Sequence, residues 1–327
     1  MVLPQDVGLR APWYQSHPIY RFRHYPDMDE MRHWGTPYRL RTNNQGLRAD
    51  RDEPYRSPEE IRVVVHGDSM TLGVGIDNSE TFVQRLETAL RRRDARVDVL
   101  NLGVSGHGPD NEYLLFVEES LRYSPRICVV AVSLMNDLDD LTRPDTAFHL
   151  DDERLTYIPF EPPVSKRLAE SSLYRWVASR SHLLIAIRYA LFDLPEYARI
   201  EAAVASQPPP LSLAVAIYRE FVSAVRNERA VPVILLLPSM EEVAYRRAIT
   251  TERPKASSML LREALTELCA SLGVVCIDAL DAIAGSRVPF DALFIPGDDH
   301  YTAEGHRIIA ALLEEPVAAA LEDLGPR

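Results

Sequence analysis

Cysteine is scarce: Cys128, Cys269 and Cys276 are the three in 327 residues. That number cannot build a disulfide framework, and the spacing is not that of a zinc site. Positive charge is also in deficit. Thirty-six Lys and Arg against 48 Asp and Glu leave a formal net charge of −12. This argues against a nucleic acid as partner, and no basic or aromatic stripe reverses it. The amino terminus, Met1-Val2-Leu3-Pro4-Gln5-Asp6, lacks the basic n-region and apolar h-region of a secretory signal. No uninterrupted apolar run is long enough to span a bilayer. The expectation is a soluble, cytoplasmic chain without a transmembrane segment. Gly73-Val74-Gly75 lacks the third glycine of a dinucleotide fingerprint, and no Cys/His set stands at metal-ligand spacing. Neither a cofactor nor a metal is expected.

What is present suffices for a large core, since 46% of residues are hydrophobic. From residue 61 the pattern is strand, helix, strand. Ile61 to His66, Val97 to Leu102, Arg126 to Ser133, Val231 to Leu237 and Val274 to Ile277 read as five strands. Cys128 falls inside the third and reads as a small core residue. Between the strands, apolar residues recur at helical spacing: Phe82, Leu86, Ala89, Leu90; Leu114, Val117, Leu121; Leu213, Ile217, Phe221, Val225; and Leu261, Leu265, Leu268, Leu272. The alternation predicts an α/β fold, a three-layer α/β/α sandwich around a five-stranded parallel sheet of flavodoxin-like kind. Ligands of such sheets sit beyond the carboxyl ends of the strands. The turns to search are those after residues 66, 102, 133, 237 and 277.

Two stretches stand outside this rhythm. Residues 1–60 are rich in Pro, Arg and aromatics and read as an extended arm packed on a main domain of residues 61–327. A short strand or hairpin is expected around Tyr38 to Arg48, where Asn43-Asn44-Gln45-Gly46 supplies turn chemistry. An insertion covers about 138–211, within which Leu173 to Leu194 reads as a helix carrying Arg175, Arg180 and Arg188. Such a helix suits a lid, a homodimer surface, a membrane-surface contact or plain docking on the sheet domain.

The turns after the strands carry the chemistry. His66-Gly67-Asp68-Ser69 ends the first strand, and a serine there can present its hydroxyl and its backbone N–H to a cleft at a helix start. Asn101-Leu102-Gly103-Val104-Ser105-Gly106-His107-Gly108 follows the second. A glycine in this position lets backbone approach closely and aim an N–H at an oxyanion, or simply turns the chain. Ser133-Leu134-Met135-Asn136-Asp137 follows the third, and Asn136 either caps the turn or offers its amide as a further donor. Near the carboxyl end, Gly297-Asp298-Asp299-His300 precedes a final helix and forms a base and orienter pair. His66 is read as strand-end packing and His306 as a helix-surface residue.

These four segments, in this order, resemble the blocks of the SGNH (GDSL) hydrolase superfamily. Thr42-Asn43-Asn44-Gln45-Gly46-Leu47-Arg48 also resembles a segment of bacterial members linked to surface-polysaccharide or lipid modification. The resemblance implies Ser69 as nucleophile, and the N–H of Ser69, the N–H of Gly106 and the side chain of Asn136 as oxyanion hole. It implies His300 as general base and Asp298 as its orienting carboxylate. Two departures stand out. The commoner Asp-His spacing would put the carboxylate at Gly297, which has none, so Asp298, at a shorter spacing, and the adjacent Asp299 are the two candidates. Leu134 and Met135 replace the usual glycines and are expected to shape an apolar acyl pocket.

The activity implied is hydrolysis of a carboxylic ester, an acetyl or short acyl group on a sugar, lipid or small metabolite, through an acyl-enzyme. An O-acyltransferase using the same residues is the nearest alternative. A non-catalytic carbohydrate- or lipid-binding protein is the alternative of another class.

Overall fold

The computed structural model describes residues 14–324, except 56, 58, 144, 153, 161–169 and most of 179–209; within that last stretch, 181, 183, 186, 187, 190, 191, 194, 195, 198 and 202 are described. In chain order the strands are β1 (Tyr14–His17), β2 (Arg21–His24), β3 (Asp29–Trp34), β4 (Thr36–Arg41), β5 (Ile61–Gly67), β6 (Val97–Gly103), β7 (Ile127–Ser133), β8 (Phe148–Asp151), β9 (Arg154–Tyr157), β10 (Val231–Leu237) and β11 (Val275–Asp278). Five of them, in the order β11-β10-β7-β5-β6, form the central sheet, and every pairing in it is parallel.

The apolar runs of these strands are continuous because both faces of the sheet are covered. Side chains alternate between faces, so Val64, Leu100, Cys128, Val130, Ile234 and Leu236 pack with Leu213, Ile217 and Phe221 of the helix Leu211–Asn227 and with Leu261 of the helix Ala256–Leu272. Val63, Val65, Val129, Val233 and Leu235 pack on the other side with Phe82 and Leu86 of the helix Phe82–Arg93 and with Ile309 and Leu313 of the helix Ala303–Asp323. The expected three-layer sandwich is therefore present. The chain adds β6 outside β5 and then returns to place β7 on the other side of β5. That reversal opens a crevice at the carboxyl ends of β5 and β7, where the serine and asparagine segments emerge.

Some local expectations are corrected. The hairpin of the amino-terminal stretch is β3–β4, turning at Gly35, and a second hairpin, β1–β2, precedes it. Asn43 to Gly46 does turn, with Asn43 Oδ1 accepting from Gln45 N and Leu47 N, but no strand follows it. Val117 is exposed, because the helix Pro109–Glu118 ends one residue later and Leu121 lies in a separate 3-10 turn, Ser120–Tyr123. Of the expected helix Leu173 to Leu194, Ser172–Ala178 is helical, with Leu173 and Trp176 exposed, and the described residues 183, 186, 187 and 194 are helical as well. Arg180 and Arg188 lie outside the described residues, as does the side chain of Arg175. Among the described residues no helix is long and apolar enough to cross a membrane.

The amino-terminal stretch is fastened by buried charge. Arg48 is almost wholly buried, and its guanidinium donates to Gly73 O at 2.9 Å and Ile76 O at 2.5 Å. Burial lowers its pKa to about 10, against the pull of Tyr38 and the nearby aspartates. Glu53, Glu60 and Asp98 lie close enough together to share an ion. Arg62 already occupies the middle of that group, paired with all three.

Candidate active site

Ser69 opens a four-residue helix, Ser69–Leu72, directly after β5. Asp68 caps it, Oδ1 accepting from Met70 N at 2.8 Å. Burial pushes the Asp68 carboxyl up, while the Met70 amide and the charge of His300 pull it down. The β6 turn is stapled to this helix by Asn101, whose Nδ2 donates to Thr71 O at 2.9 Å while its Oδ1 accepts Gly103 N at 2.9 Å. Val104 N donates to Gly67 O at 3.0 Å, so the glycine segment lies against the serine segment.

His300 closes the set from the far end of the chain. Its Nε2 stands 2.7 Å from Ser69 Oγ. Its Nδ1 hydrogen-bonds Asp298 Oδ1, and its own backbone N–H donates to that oxygen at 2.8 Å. Ser69, His300 and Asp298 thus form one hydrogen-bonded line, and the carboxylate on it is Asp298 rather than Asp299. Burial disfavours the Asp298 charge, but the hydrogen bonds and charge of His300 and the hydrogen bond from Trp34 outweigh that and hold its pKa below the usual carboxylate value. Asp299 is pushed the other way, by burial and then by the charge of Asp298.

Asn136 follows β7 and is held on both sides of its amide. Ser133 Oγ donates to Asn136 Oδ1 at 2.6 Å, and Asn136 Nδ2 donates to Asp140 Oδ2 at 2.6 Å. One Nδ2 hydrogen is thereby used, and the Asn136 side chain also stands against the Asp68 carboxylate, whose charge it favours. Asp137 anchors the segment from beneath, Oδ2 accepting Ser133 N at 2.9 Å and Tyr218 O–H at 2.9 Å. Gly106 sits in the turn after β6, with Phe22 of β2 beside it.

Several residues play parts that the linear pattern does not announce. Trp34 Nε1 donates to Asp298 Oδ2 at 2.8 Å, across 264 positions of chain; no periodicity signals such a contact. Asp140 could have been noticed, because it stands one helical turn beyond Asn136. His306 is not a surface residue: it is buried, its Nδ1 accepts Phe82 N at 3.1 Å, and its ring stacks on Phe82. Burial lowers its pKa to about 3, as it does for His66, which hydrogen-bonds Ser120 Oγ, and for His107, which meets Phe22 O. Leu134 is buried in the core, whereas Met135 is half-buried.

Residues 65–308 match the model of the GDSL-like lipase/acylhydrolase family. No curated protein matches the chain at a significant level. Among solved structures, an α/β hydrolase enzyme from the metagenome of Lake Arreo, Spain, is 16% identical, with 84% of this chain and 100% of that one covered at a TM-score of 0.50. The lipase/acylhydrolase from Enterococcus faecalis is 14% identical, covering 82% and 98% at 0.49. A catalytic mutant of an acetylxylan esterase from Geobacillus stearothermophilus is 13% identical, covering 82% and 95% at 0.48.

Proposed function

A chain matched from residue 65 to residue 308 by the GDSL-like lipase/acylhydrolase model belongs to that family of ester hydrolases, and from this premise we propose a serine esterase that works through an acyl-enzyme. The supporting observation is the line Asp298–His300–Ser69, with 2.7 Å between His300 Nε2 and Ser69 Oγ. In this reading Ser69 Oγ attacks the ester carbonyl carbon and its proton passes to His300 Nε2. Asp298 keeps the imidazole in the tautomer whose Nε2 can accept, and stabilises the imidazolium. The oxyanion is met by the N–H of Ser69, the N–H of Gly106 and the side chain of Asn136. Collapse of the tetrahedral intermediate breaks the bond to the alcohol, which takes the proton from His300. Water then attacks the acyl group by the same route and frees Ser69.

The surroundings favour a short acyl group on a hydroxyl-bearing alcohol such as a sugar. Asn111, Asp140, Arg143, Asp145 and Thr146 line the recess beside Gly106, with Phe22 as its apolar wall. Polar side chains of that kind hydrogen-bond hydroxyls and leave a long alkyl chain without apolar cover.

The test is a series of p-nitrophenyl esters of increasing chain length beside a panel of acetylated sugars, each run with wild type and Ser69→Ala. Turnover confined to short acyl groups and lost in the variant is expected. Turnover that survives in Ser69→Ala rejects the acyl-enzyme. Acyl transfer to an added alcohol in preference to water would make the protein a transferase with the same machinery.

A further inference from the structure

Asp298 has two carboxylate oxygens, and the family's machinery accounts for one of them. Oδ1 takes Nδ1 of His300 and the His300 backbone N–H. Oδ2 takes the indole N–H of Trp34 at 2.8 Å. The Trp34 ring also stands edge to face with the His300 imidazole, centroids 5.8 Å apart. Trp34 lies outside the stretch that the family model matches, which begins at residue 65. We propose that Trp34 is a positioning residue of the catalytic site, supplied by the amino-terminal hairpin to hold the Asp298 carboxylate in plane with the imidazole.

The hairpin carries this side chain at its tip. Trp34 is the last residue of β3, and Gly35 turns the chain there with φ +69, a conformation that side chains with a Cβ rarely adopt. A Cβ on Gly35 would fall 2.3 Å from Ile295 Cγ2, so the tip lies directly on the loop that carries Asp298 and His300. That loop is closed on itself by Ile295 N donating to His300 O at 2.8 Å. The next residue, Thr36, donates through Oγ1 to Gly75 O at 3.0 Å, tying the tip to the loop after Ser69 as well. The indole is therefore fixed relative to both ends of the triad.

Its chemical effect follows from charge. With Oδ2 unpaired, the half-buried carboxylate would still be held at Oδ1 by the two N–H groups of His300 but would be free to tilt about them. The indole N–H removes that freedom and shares the negative charge. Without it the carboxylate is more basic and holds the imidazole N–H more tightly, so the Asp298–His300 pair as a whole gives up its proton at higher pH. Among the described residues, Asp68, Asp299 and His306 also interact electrostatically with His300.

The inference rests on the reading of Ser69, His300 and Asp298 as a catalytic triad, and the test separates the two. The rate of labelling by a fluorophosphonate needs the triad but no particular substrate. It is measured against pH for wild type, Trp34→Phe and Ser69→Ala. Trp34→Phe, which keeps a ring and removes the N–H, is expected to label about ten-fold more slowly, the size expected for one hydrogen bond to a charged group. Its acid limb should also move to higher pH, which loss of packing alone would not do. Labelling at the wild-type rate with an unmoved limb overturns the proposal and leaves the triad intact. Absence of labelling in wild type overturns the triad instead. A second readout covers a variant that folds poorly: in wild-type protein the Trp34 indole N–H resonance should lie downfield and move on Asp298→Ala. A resonance indifferent to Asp298 rejects the hydrogen bond whatever the activity.

Discussion

Asn136 and Asp140 are joined side chain to side chain, Nδ2 donating to Oδ2 at 2.6 Å. The amide that would face an oxyanion is thus aimed by a carboxylate one helical turn further on. That carboxyl is largely buried, which raises its pKa to about 6 against the pull of Arg143 and of Asn136 itself. Asn136→Ala should lower kcat by about 10²–10³ with little change in KM, as loss of one oxyanion donor does. Asp140→Ala, which leaves the donor but frees it, should cost kcat less than Asn136→Ala. Steady-state kinetics on one p-nitrophenyl ester orders the two, and equal losses would place Asp140 in direct contact with the substrate.

Ser69→Ala should abolish both ester turnover and fluorophosphonate labelling. A drop of at least about 10³-fold is expected, because the nucleophile and its base act as a unit. The hydroxyl accounts for little packing, so the melting temperature should barely change. A large loss of stability in that variant would mean that Ser69 holds the turn together.

Gly103→Ala tests how closely β6 approaches the serine helix. A Cβ there would stand 2.4 Å from Leu72 N and 2.8 Å from Thr71 C, backbone atoms with no room to give. Overpacking against main chain should cost about 2 kcal/mol or more. Chemical denaturation would read this as a lowered midpoint with unchanged slope, and a wild-type midpoint would contradict the contact.

Glu112 gives a pH-dependent prediction. Its carboxyl is wholly buried in the helix Pro109–Glu118, with no hydrogen-bond partner for either oxygen among the described residues. Burial, then the charges of Asp137, Asp68, Asp110 and Asp140, push its pKa well above 4.5. A carboxyl whose pKa is raised on folding is neutral in the native protein while its unfolded counterpart ionises. Its contribution is therefore full below about 4.5 and is lost as pH climbs toward the folded value. Glu112→Gln should match wild type in stability near pH 4 and exceed it increasingly above that. The gain should approach about 1.4 kcal/mol per pH unit until the folded carboxyl itself ionises. Urea titrations at pH 4 and pH 7 check it, and a gap that shrinks with pH would refute it.

The central architecture was legible because it rests on repetition. Runs such as Ile127-Cys128-Val129-Val130-Ala131-Val132 announce a strand covered on both faces, and Leu213, Ile217, Phe221 and Val225 announce the helix that covers one of them. The serine, glycine and asparagine segments were legible for a related reason: each follows a strand, and parallel strands share an end, whereas Asp298 and His300 come after a helix and a 3-10 turn beyond β11 and were legible only from their own spacing. What escaped lies where local pattern and tertiary setting part. His306 looks like any polar residue near a helix start, yet its ring serves the amide of Phe82. The hairpin at Gly35 alternates only over Tyr38-Arg39-Leu40 and is otherwise largely polar, and the place of its tip is set by what Trp34 and Thr36 reach.

The buried guanidinium of Arg48 has a practical consequence. It caps the carbonyls of Gly73 and Ile76 from behind the serine loop, where Gly73 O otherwise receives the Ile76 N–H at 3.4 Å. A fragment trimmed to the homologous stretch would leave that loop unsupported and its underside wet. Chimeras with relatives should carry 14–55 along with the rest, and calorimetry of the whole chain should record one melting event, with no earlier detachment of its beginning.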